Sequence, residues 1–293
     1  MDGDEPVFTA EQVEKMKAGI DGWGNTNWYK KTFGTGHNQN YNVNASGGTD
    51  KIRYYASLGY YNQKGNVENF DYDRLNIRSN IDAEVAKNLH LSFDIAGRIE
   101  KRDRPGFSAN PNDWNNIPQQ ALRTMPYIPE TIDGLPTSGR TASTYINPLA
   151  GATQSGYNRN KQNIIQTKIA LDYDIPYVKG LNVKFLVAYD YVDQMGKAFS
   201  TPYETMVATL PSQVGGDLTY SRAFDPRGDV ASLSESLGHS YDLTTNTSIS
   251  YARSFGEHNL DIIGLFESKK NKSNAFSATG YGFDIYDLDE LGF

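Results

Sequence analysis

The fold of this chain is decided by the stretch Tyr72-Asp-Arg-Leu-Asn-Ile-Arg-Ser-Asn-Ile-Asp82. In an extended strand, successive side chains point to opposite faces. Leu75, Ile77 and Ile81 therefore share one face, while the arginine, asparagine and aspartate residues between them share the other. This period-two alternation predicts a β-strand with one apolar face and one ionic face.

The same alternation extends outward in both directions. Directly before this stretch, residues 39–46 and 51–60 alternate on either side of Ser46-Gly-Gly-Thr-Asp50, which predicts a hairpin. Over the whole chain the pattern predicts eight strands, near residues 37–46, 51–63, 73–84, 90–101, 162–175, 181–193, 240–253 and 258–270. In the sixth and eighth of these strands both faces carry apolar residues. The sequence therefore does not determine which of their faces is the apolar face of the sheet.

The predicted strands are joined alternately by tight turns and by longer loops. The tight turns are Ser46–Asp50, Ala86–Asn88, Pro176–Gly180 and Ser254–Glu257. Two of the other connections run for about 60 and about 45 residues, whereas a loop usually has about 4 to 6. Short turns at one end and long loops at the other are typical of outer-membrane β-barrels.

A soluble antiparallel sandwich is the alternative, since its strands also alternate between an apolar and a polar face. Sandwich strands usually have about 5 to 6 residues, and a strand that crosses a membrane needs about 9 to 11. Several of the predicted strands keep their period for about eleven residues or more. The sequence therefore predicts an antiparallel transmembrane β-barrel wall with short periplasmic turns and long extracellular loops.

Composition excludes several classes of function. The chain has 293 residues, a net charge of -7 and no cysteine. The acidic balance argues against a nucleic-acid partner, and the lack of cysteine excludes disulfides and thiol chemistry. The four histidines are scattered without metal-ligand spacing, and a hydrated barrel lumen accounts for paired carboxylates such as Asp172 and Asp174. We expect no catalytic residue, metal site or cofactor.

The N-terminal residues differ from the rest of the chain. Thr9 and Gln12 have the spacing of a capping box, which predicts a short helix ending near Gly19. The division expected is a connector over residues 1–36 and barrel over residues 37–293. The acidic start lacks the features of a secretory signal, so either the protein stays in the cytoplasm or its true N-terminus lies elsewhere.

Several motifs resemble one family. The stretch Ser46-Gly-Gly-Thr-Asp-Lys-Ile-Arg-Tyr-Tyr-Ala-Ser-Leu-Gly-Tyr-Tyr-Asn-Gln-Lys-Gly65 resembles a hairpin of SusC/RagA-like TonB-dependent outer-membrane transporters of Bacteroidota. The stretches 69–82, 156–159, 171–181, 255–259 and 288–291 resemble the same family in the same order. The resemblance covers essentially the whole chain.

The resemblance implies a 22-stranded barrel in outer-membrane lipid, closed by an N-terminal plug. It also implies a SusD-like surface lipoprotein that captures oligosaccharide or peptide, and a TonB complex that supplies energy through the plug. Nothing in this sequence resembles the TonB box or the plug. The chain is therefore expected to be an internal piece of the barrel, and its residues 1–36 are expected near the junction of plug and barrel.

Aromatic residues in the long loops are the candidates for binding substrate or a partner protein, because aromatic rings and amides suit sugar rings and protein surfaces. They are Trp114, Tyr127, Tyr145, Tyr157, Tyr203 and Tyr220. The alternative for each is that its ring packs the loops onto one another.

The function expected from these observations is a non-enzymatic part in a SusC-like importer of oligosaccharides or peptides. The chain would supply barrel wall and extracellular loops. The alternatives are a complete small outer-membrane barrel with a structural or adhesive role and a soluble β-sandwich carbohydrate-binding module.

Overall fold

The structure, a computed structural model, describes residues 7–108, 117–139, 146–211, 215–225, 230–283 and 289–291. Its strands are β1 (His37–Gly48), β2 (Ile52–Lys64), β3 (Asp71–Ala86), β4 (Leu89–Pro105), β5 (Thr131–Ile132), β6 (Leu135–Gly139), β7 (Gly156–Asp174), β8 (Leu181–Ser200), β9 (Tyr203–Thr209), β10 (Thr219–Asp225), β11 (Ser232–Phe255) and β12 (His258–Tyr281). Its helices are α1 (Ala10–Ala18), α2 (Trp28–Thr32), α3 (Ile117–Arg123) and α4 (Pro148–Thr153), with a 3-10 turn at Gly106–Ser108.

Eight long strands form one antiparallel sheet in the order β1-β2-β3-β4-β7-β8-β11-β12. All eight predicted strands are thus confirmed, and so is their antiparallel arrangement. Each long strand between β1 and β12 pairs with the long strand before it and the long strand after it in the chain. Within the described residues the sheet is not closed, because β1 and β12 each have a strand on one side only.

The strands extend beyond the predicted ends on the side of the long loops. β11 begins at Ser232 and β12 continues to Tyr281, and these two strands pair along their whole length. Serine and glycine are common in both extensions, and these residues give little strand signal by themselves. Pairing with a neighbouring strand therefore extends the sheet where the local sequence does not predict it.

The register gathers apolar side chains on one face of the sheet. Ile81 lies opposite Phe93, Phe93 opposite Ile169, and Ile169 opposite Val187. We call this the outer face. Ile81 and Ile169 are 37% and 44% exposed, so a row of large apolar side chains runs across four strands without protein over it. Such a band on alternate residues is the feature by which a transmembrane barrel contacts lipid.

The opposite face, which we call the inner face, is polar and internally hydrogen bonded. Asp94 accepts a hydrogen bond from Asn80 and forms an ion pair with Lys168 on the next strand. Ser92 donates to Asp82 at 2.6 Å. These cross-strand pairs hold carboxylates in a hydrated environment and require no catalytic role.

The register also shows to which face the side chains of β8 and β12 point, the two strands for which the sequence left this open. Leu186 of β8 lies opposite Asn246, and Leu265 of β12 lies opposite Ser248. Both leucines therefore point to the inner face. Leu265 is 64% exposed, so the inner face has a local apolar patch near the tight turn before β12.

The four predicted tight turns are confirmed, since each joins two consecutive long strands. At the turn between β7 and β8, Gly180 has a φ of +90°, and a Cβ atom there would lie 2.1 Å from the carbonyl oxygen of Ala252. Only glycine fits this conformation and this space. The long loops all lie at the other end of the sheet, because antiparallel neighbours alternate in direction.

The described residues of these loops, together with residues 7–36, fold into what we call the loop cluster. It contains the four helices and a four-stranded sheet in the order β10-β9-β6-β5, in which β6 and β9 are parallel. One core of the cluster groups Phe107, Ile117, Ile146 and Tyr203. Among the helices of the described residues, none has the length and hydropathy of a membrane-spanning helix.

The predicted capping box begins α1, as expected. The Thr9 side chain accepts a hydrogen bond from the Gln12 backbone, the Gln12 side chain accepts one from the Thr9 backbone, and Gly19 ends the helix in the left-handed conformation. The Gln12 Nε2 atom also donates to the carbonyl oxygen of Gly216 at 2.6 Å. The N-terminal helix is therefore attached to the loop cluster and lies at the end of the sheet where β1 begins.

Candidate functional site

Two regions at the loop end of the sheet hold the candidate functional residues. The first is the loop cluster, which contains the aromatic residues predicted from sequence. The second is the adjoining half of the inner face. Trp114 and Tyr145, two of the predicted aromatic residues, lie outside the described residues.

Tyr203 is almost fully buried in the loop cluster. It is 7% exposed and belongs to the same core as Phe107 and Ile117. Burial raises the pKa of its hydroxyl well above the usual value, with the nearby charge of Asp225 as the smaller cause. The hydroxyl has no hydrogen-bond partner among the described residues. In this conformation the ring packs the loops and is not accessible to a ligand.

Tyr220 and Tyr127 lie against a second core, formed by Trp28, Ile128 and Ala208. The Tyr220 hydroxyl donates to the carbonyl oxygen of Gly22 at 2.5 Å. Burial raises the pKa of Tyr220 to about 12, since the ionised form would lose hydration.

The ring of Tyr127 lies between two N-terminal aromatic rings, with centroid distances of 5.4 Å to Phe8 and 6.1 Å to Trp23. Contacts of this kind stabilise packing by about 0.5–1.5 kcal/mol each. Tyr127 and Tyr220 thus fasten the N-terminal residues to the loops.

Tyr157 lies at the loop end of β7, in a third group of side chains. Its hydroxyl donates a hydrogen bond to the carboxylate of Asp289, and this bond is the main cause of the lowered pKa of Asp289. The guanidinium of Arg159 lies 3.9 Å from the centroid of the Tyr157 ring. The four described tyrosines therefore belong to three separate groups and do not converge on one pocket.

The inner face next to the loops carries a set of arginines that the sequence reasoning did not select. They lie on β3 and β4, at alternate positions on one face: Arg74, Arg78, Arg98, Arg102 and Arg104. The sequence signal was present, because these residues alternate with apolar or acidic ones.

Two of these arginines lie over tyrosine rings of the same face. The Arg74 guanidinium is 5.6 Å from the ring centroid of Tyr61, and that of Arg102 is 5.6 Å from the ring centroid of Tyr72. The two rings are 6.0 Å apart. Cation–π contacts hold the guanidinium groups in place and leave their edges available to a ligand.

A cavity of about 530 Å³ lies where these strands meet the loop cluster. It is lined by Gln63, Tyr72, Arg102 and Arg104, by the carboxylates Asp71 and Asp103, and by residues of the loops, including Pro118 of α3. A larger cavity of about 970 Å³ is lined by Met195, Leu237 and Phe276 of the outer face and by charged residues that include Lys101, Arg159 and Lys197. Because that second cavity lies on the outer face of the sheet, we place cargo contacts at the first one.

No group of three or more side chains suited to hold a metal ion occurs within the ranges that the structure describes.

Comparison with protein families and curated proteins gave partial matches. No protein-family model matches the chain. It is 26% identical over 287 residues to the TonB-dependent receptor P3 of Formosa agariphila, a match that covers 97% of this chain and 26% of the relative. It is 23% identical over 313 residues to the TonB-dependent receptor SusC of Bacteroides thetaiotaomicron, covering 98% and 28%. The chain thus spans about a quarter of the length of these relatives.

Solved structures of similar fold give the same picture. The RagAB peptide importer in its closed-closed state matches with a TM-score of 0.68 at 16% identity, over 94% of this chain and 30% of that one. The RagAB peptide transporter matches with a TM-score of 0.69 at 17% identity, over 96% and 32%. The long sheet and the loop cluster therefore have the same fold as part of a known barrel.

Proposed function

Given that this chain is a β-barrel segment of the SusC/RagA-like TonB-dependent receptors of the outer membrane, which are not enzymes, we propose that it is part of an importer of oligosaccharides. In this proposal the long strands form a section of the barrel wall and the loop cluster faces the cell exterior. Residues 1–36 are proposed to form a connector near the junction of plug and barrel, and residues 37–293 to form the barrel section.

The main support for the proposal is that the long sheet has one apolar face and one polar face. Its strands have 12 to 24 residues, more than the approximately 9 to 11 that cross a membrane. Leu58 and Ile77, opposite one another on the outer face, are both more than half exposed. A soluble protein would rarely leave so extended an apolar surface uncovered. A wall between lipid and an aqueous lumen requires this arrangement.

We propose oligosaccharide as the cargo, with peptide as the alternative. Support for a saccharide comes from the amide side chains that flank the inner face near the loops, namely Asn38, Asn40 and Asn42 on β1 and Asn158 and Asn160 on β7. Amides donate to and accept from sugar hydroxyls. Support for a peptide comes from the RagAB structures, whose descriptions name a peptide as cargo of that protein.

The proposed partners are a SusD-like lipoprotein and the TonB complex. The loop cluster has an exposed apolar patch suited to a protein partner, with Leu122 71% and Tyr29 57% exposed. The lipoprotein would dock on this surface. TonB would act through a plug domain. Of the loop aromatics, Trp114, Tyr145 and Tyr157 would contact substrate or lipoprotein, whereas Tyr127, Tyr203 and Tyr220 pack the loops together.

Uptake by whole cells tests the proposal. Cells that carry the intact gene should accumulate a fluorescently labelled oligosaccharide, and deletion of the gene or a protonophore should abolish accumulation. Growth on a panel of neutral and acidic polysaccharides identifies the class of cargo. If neither saccharides nor peptides enter in an energy-dependent manner, the importer function is wrong.

A further inference from the structure

We propose that the loop end of the inner face binds the acidic groups of an anionic oligosaccharide, such as the carboxylates of uronic acids or the sulfates of sulfated sugars. The inference rests on the proposed importer function and specifies its cargo. It is carried by the distribution of charge along the inner face, by the unpaired state of the arginines and by the cavity beside them.

Charge on the inner face is separated along the strand direction. On β3 and β4 the half next to the loops holds the five arginines named above and one carboxylate, Glu100. The half next to the tight turns holds Asp82, Glu84 and Asp94 on the same two strands. The chain as a whole has a net charge of -7. Five arginines with one carboxylate are therefore a local reversal of the overall charge.

The arginines also differ from the carboxylates in their pairing. Three carboxylates near the tight turns have partners: Asp82 has Ser92, Asp94 has Lys168 and Asp172 has Asn182. Near the loops Arg98 pairs with Glu100, with 3.1 Å between Nε and Oε1. Among the described residues Arg74, Arg102 and Arg104 form no ion pair, and the Arg74 Nε atom is buried without a hydrogen-bond partner. The guanidinium groups of Arg102 and Arg104 are therefore available to a ligand, whereas Arg74 also interacts with the side chain of Tyr72.

Guanidinium groups suit the proposed ligand in geometry as well as in charge. Their planar N–H pairs match carboxylate and sulfate oxygens and bind them bidentately. Stacking on Tyr61 and Tyr72 restricts the side chains of Arg74 and Arg102 before a ligand arrives, which lowers the entropy lost on binding. The flanking Asn158 and Asn160 supply partners for uncharged hydroxyls.

The adjoining cavity has room for part of a saccharide chain. Its volume of about 530 Å³ is within the usual range for small-molecule sites, about 300–1,000 Å³. Gln63, Arg102 and Arg104 line it from the inner face. Asp71 and Asp103 also border it, but both belong to the outer-face set of their strands, and Asp71 pairs with Lys64 at 2.9 Å. An acidic sugar seated there would place its anion between the two arginines and its ring against Tyr72.

The test uses the complete receptor that the gene encodes, purified in detergent, and calorimetric titration with four defined probes. These are hexagalacturonate, its neutral methyl ester, a sulfated galactan hexasaccharide and hexaglutamate. We expect at least one acidic saccharide to bind at least about tenfold more tightly than the methyl ester. The double variant Arg102→Gln with Arg104→Gln should reduce the ratio of acidic to ester affinity to about one.

Arg53→Gln is the matched control, because Arg53 lies on the inner face near the tight turns, opposite Asp82. It should bind both saccharides like the wild type, and heat-modifiable migration in gels confirms that each variant is folded. The inference is overturned if the ester binds as well as the acids, if hexaglutamate binds best, or if Arg53→Gln loses as much affinity. A receptor that imports neutral saccharides alone would refute the acidic cargo while the importer function stands.

Discussion

The Tyr157 hydroxyl at the loop end of β7 donates a hydrogen bond to the carboxylate of Asp289, although 132 positions separate the two residues. The same carboxylate lies 3.4 Å from the Nζ atom of Lys197 on β8. Leu291 packs nearby on the buried group of Phe199 and Leu233. The last described residues are thus fastened across the ends of two strands by a hydrogen bond, an ion pair and an apolar contact.

Removal of the Tyr157 hydroxyl should release residues 289–291 from the sheet. In Tyr157→Phe we expect amide exchange in this segment to accelerate about fivefold, because a hydrogen bond of this kind contributes about 1 kcal/mol. Hydrogen exchange with mass spectrometry measures the effect. Tyr177→Phe is the control, since Tyr177 is 92% exposed in a turn. Equal exchange in both variants would contradict the attachment.

The same contact should depend on pH in a defined direction. The hydrogen bond from Tyr157 and the charge of Lys197 lower the pKa of Asp289 below its model-compound value of 3.8. A lowered pKa means that the contact stabilises the folded form above pH 3.8 and is lost as the pH falls through the lowered value. Limited proteolysis after residue 281 should therefore accelerate only in strong acid, and Asp289→Asn should remove this dependence.

Lysine substitutions on the two faces should have opposite outcomes. Ile169→Lys places a charge in the apolar band of the outer face and should destabilise the inserted barrel by about 2–4 kcal/mol. Gln166→Lys places the same charge on the exposed inner face of the same strand and should have little effect. Urea titration of the complete receptor in lipid vesicles measures both. Equal losses would show that the two faces are not in different environments.

Much of the wall could be predicted from the sequence because lipid on one face and water on the other impose a strict two-residue period. Leu75 and Ile77 alternate with polar residues, Arg74, Asn76 and Arg78, for that reason. In β6 and β9 no such constraint acts. Their parallel pairing joins Thr137 to Met206, and a contact between residues so far apart leaves no local pattern.

The candidate site was predictable only in part. The loop tyrosines stand out by composition, but the burial of Tyr203 depends on the packing of Ile117 and Ile146 from other loops. The arginines of β3 and β4 could have been found, since their spacing alone places them on one face. Their position beside the loops depends on where the paired strands β3 and β4 end, which the sequence pattern does not give.

The turn between β7 and β8 should not tolerate a side chain at Gly180. A Cβ atom there would lie 2.1 Å from the Ala252 carbonyl oxygen, whereas a Cβ atom at Gly256 has no neighbour within 4 Å. Both glycines have positive φ, so each change to alanine costs about 1–2 kcal/mol of strain. Gly180→Ala must also displace the backbone of β11. We expect Gly256→Ala to assemble in outer membranes, and Gly180→Ala to lose most of its heat-modifiable form.

Loss of the Tyr220 hydroxyl should weaken the attachment of the N-terminal residues to the loops. The hydrogen bond to Gly22 is partly buried, and Tyr220→Phe should lower the stability of the loop cluster by about 1 kcal/mol. Burial raises the pKa of Tyr220 to about 12, from an ordinary value of 10.0. The hydroxyl therefore contributes fully to the stability of the loop cluster below pH 10, and this contribution is lost as the pH rises toward 12. The difference in absorbance at 295 nm between wild type and Tyr220→Phe should therefore show one tyrosine that ionises near pH 12. If the difference instead shows a tyrosine that ionises near pH 10, the hydroxyl is exposed to solvent and does not bond to Gly22.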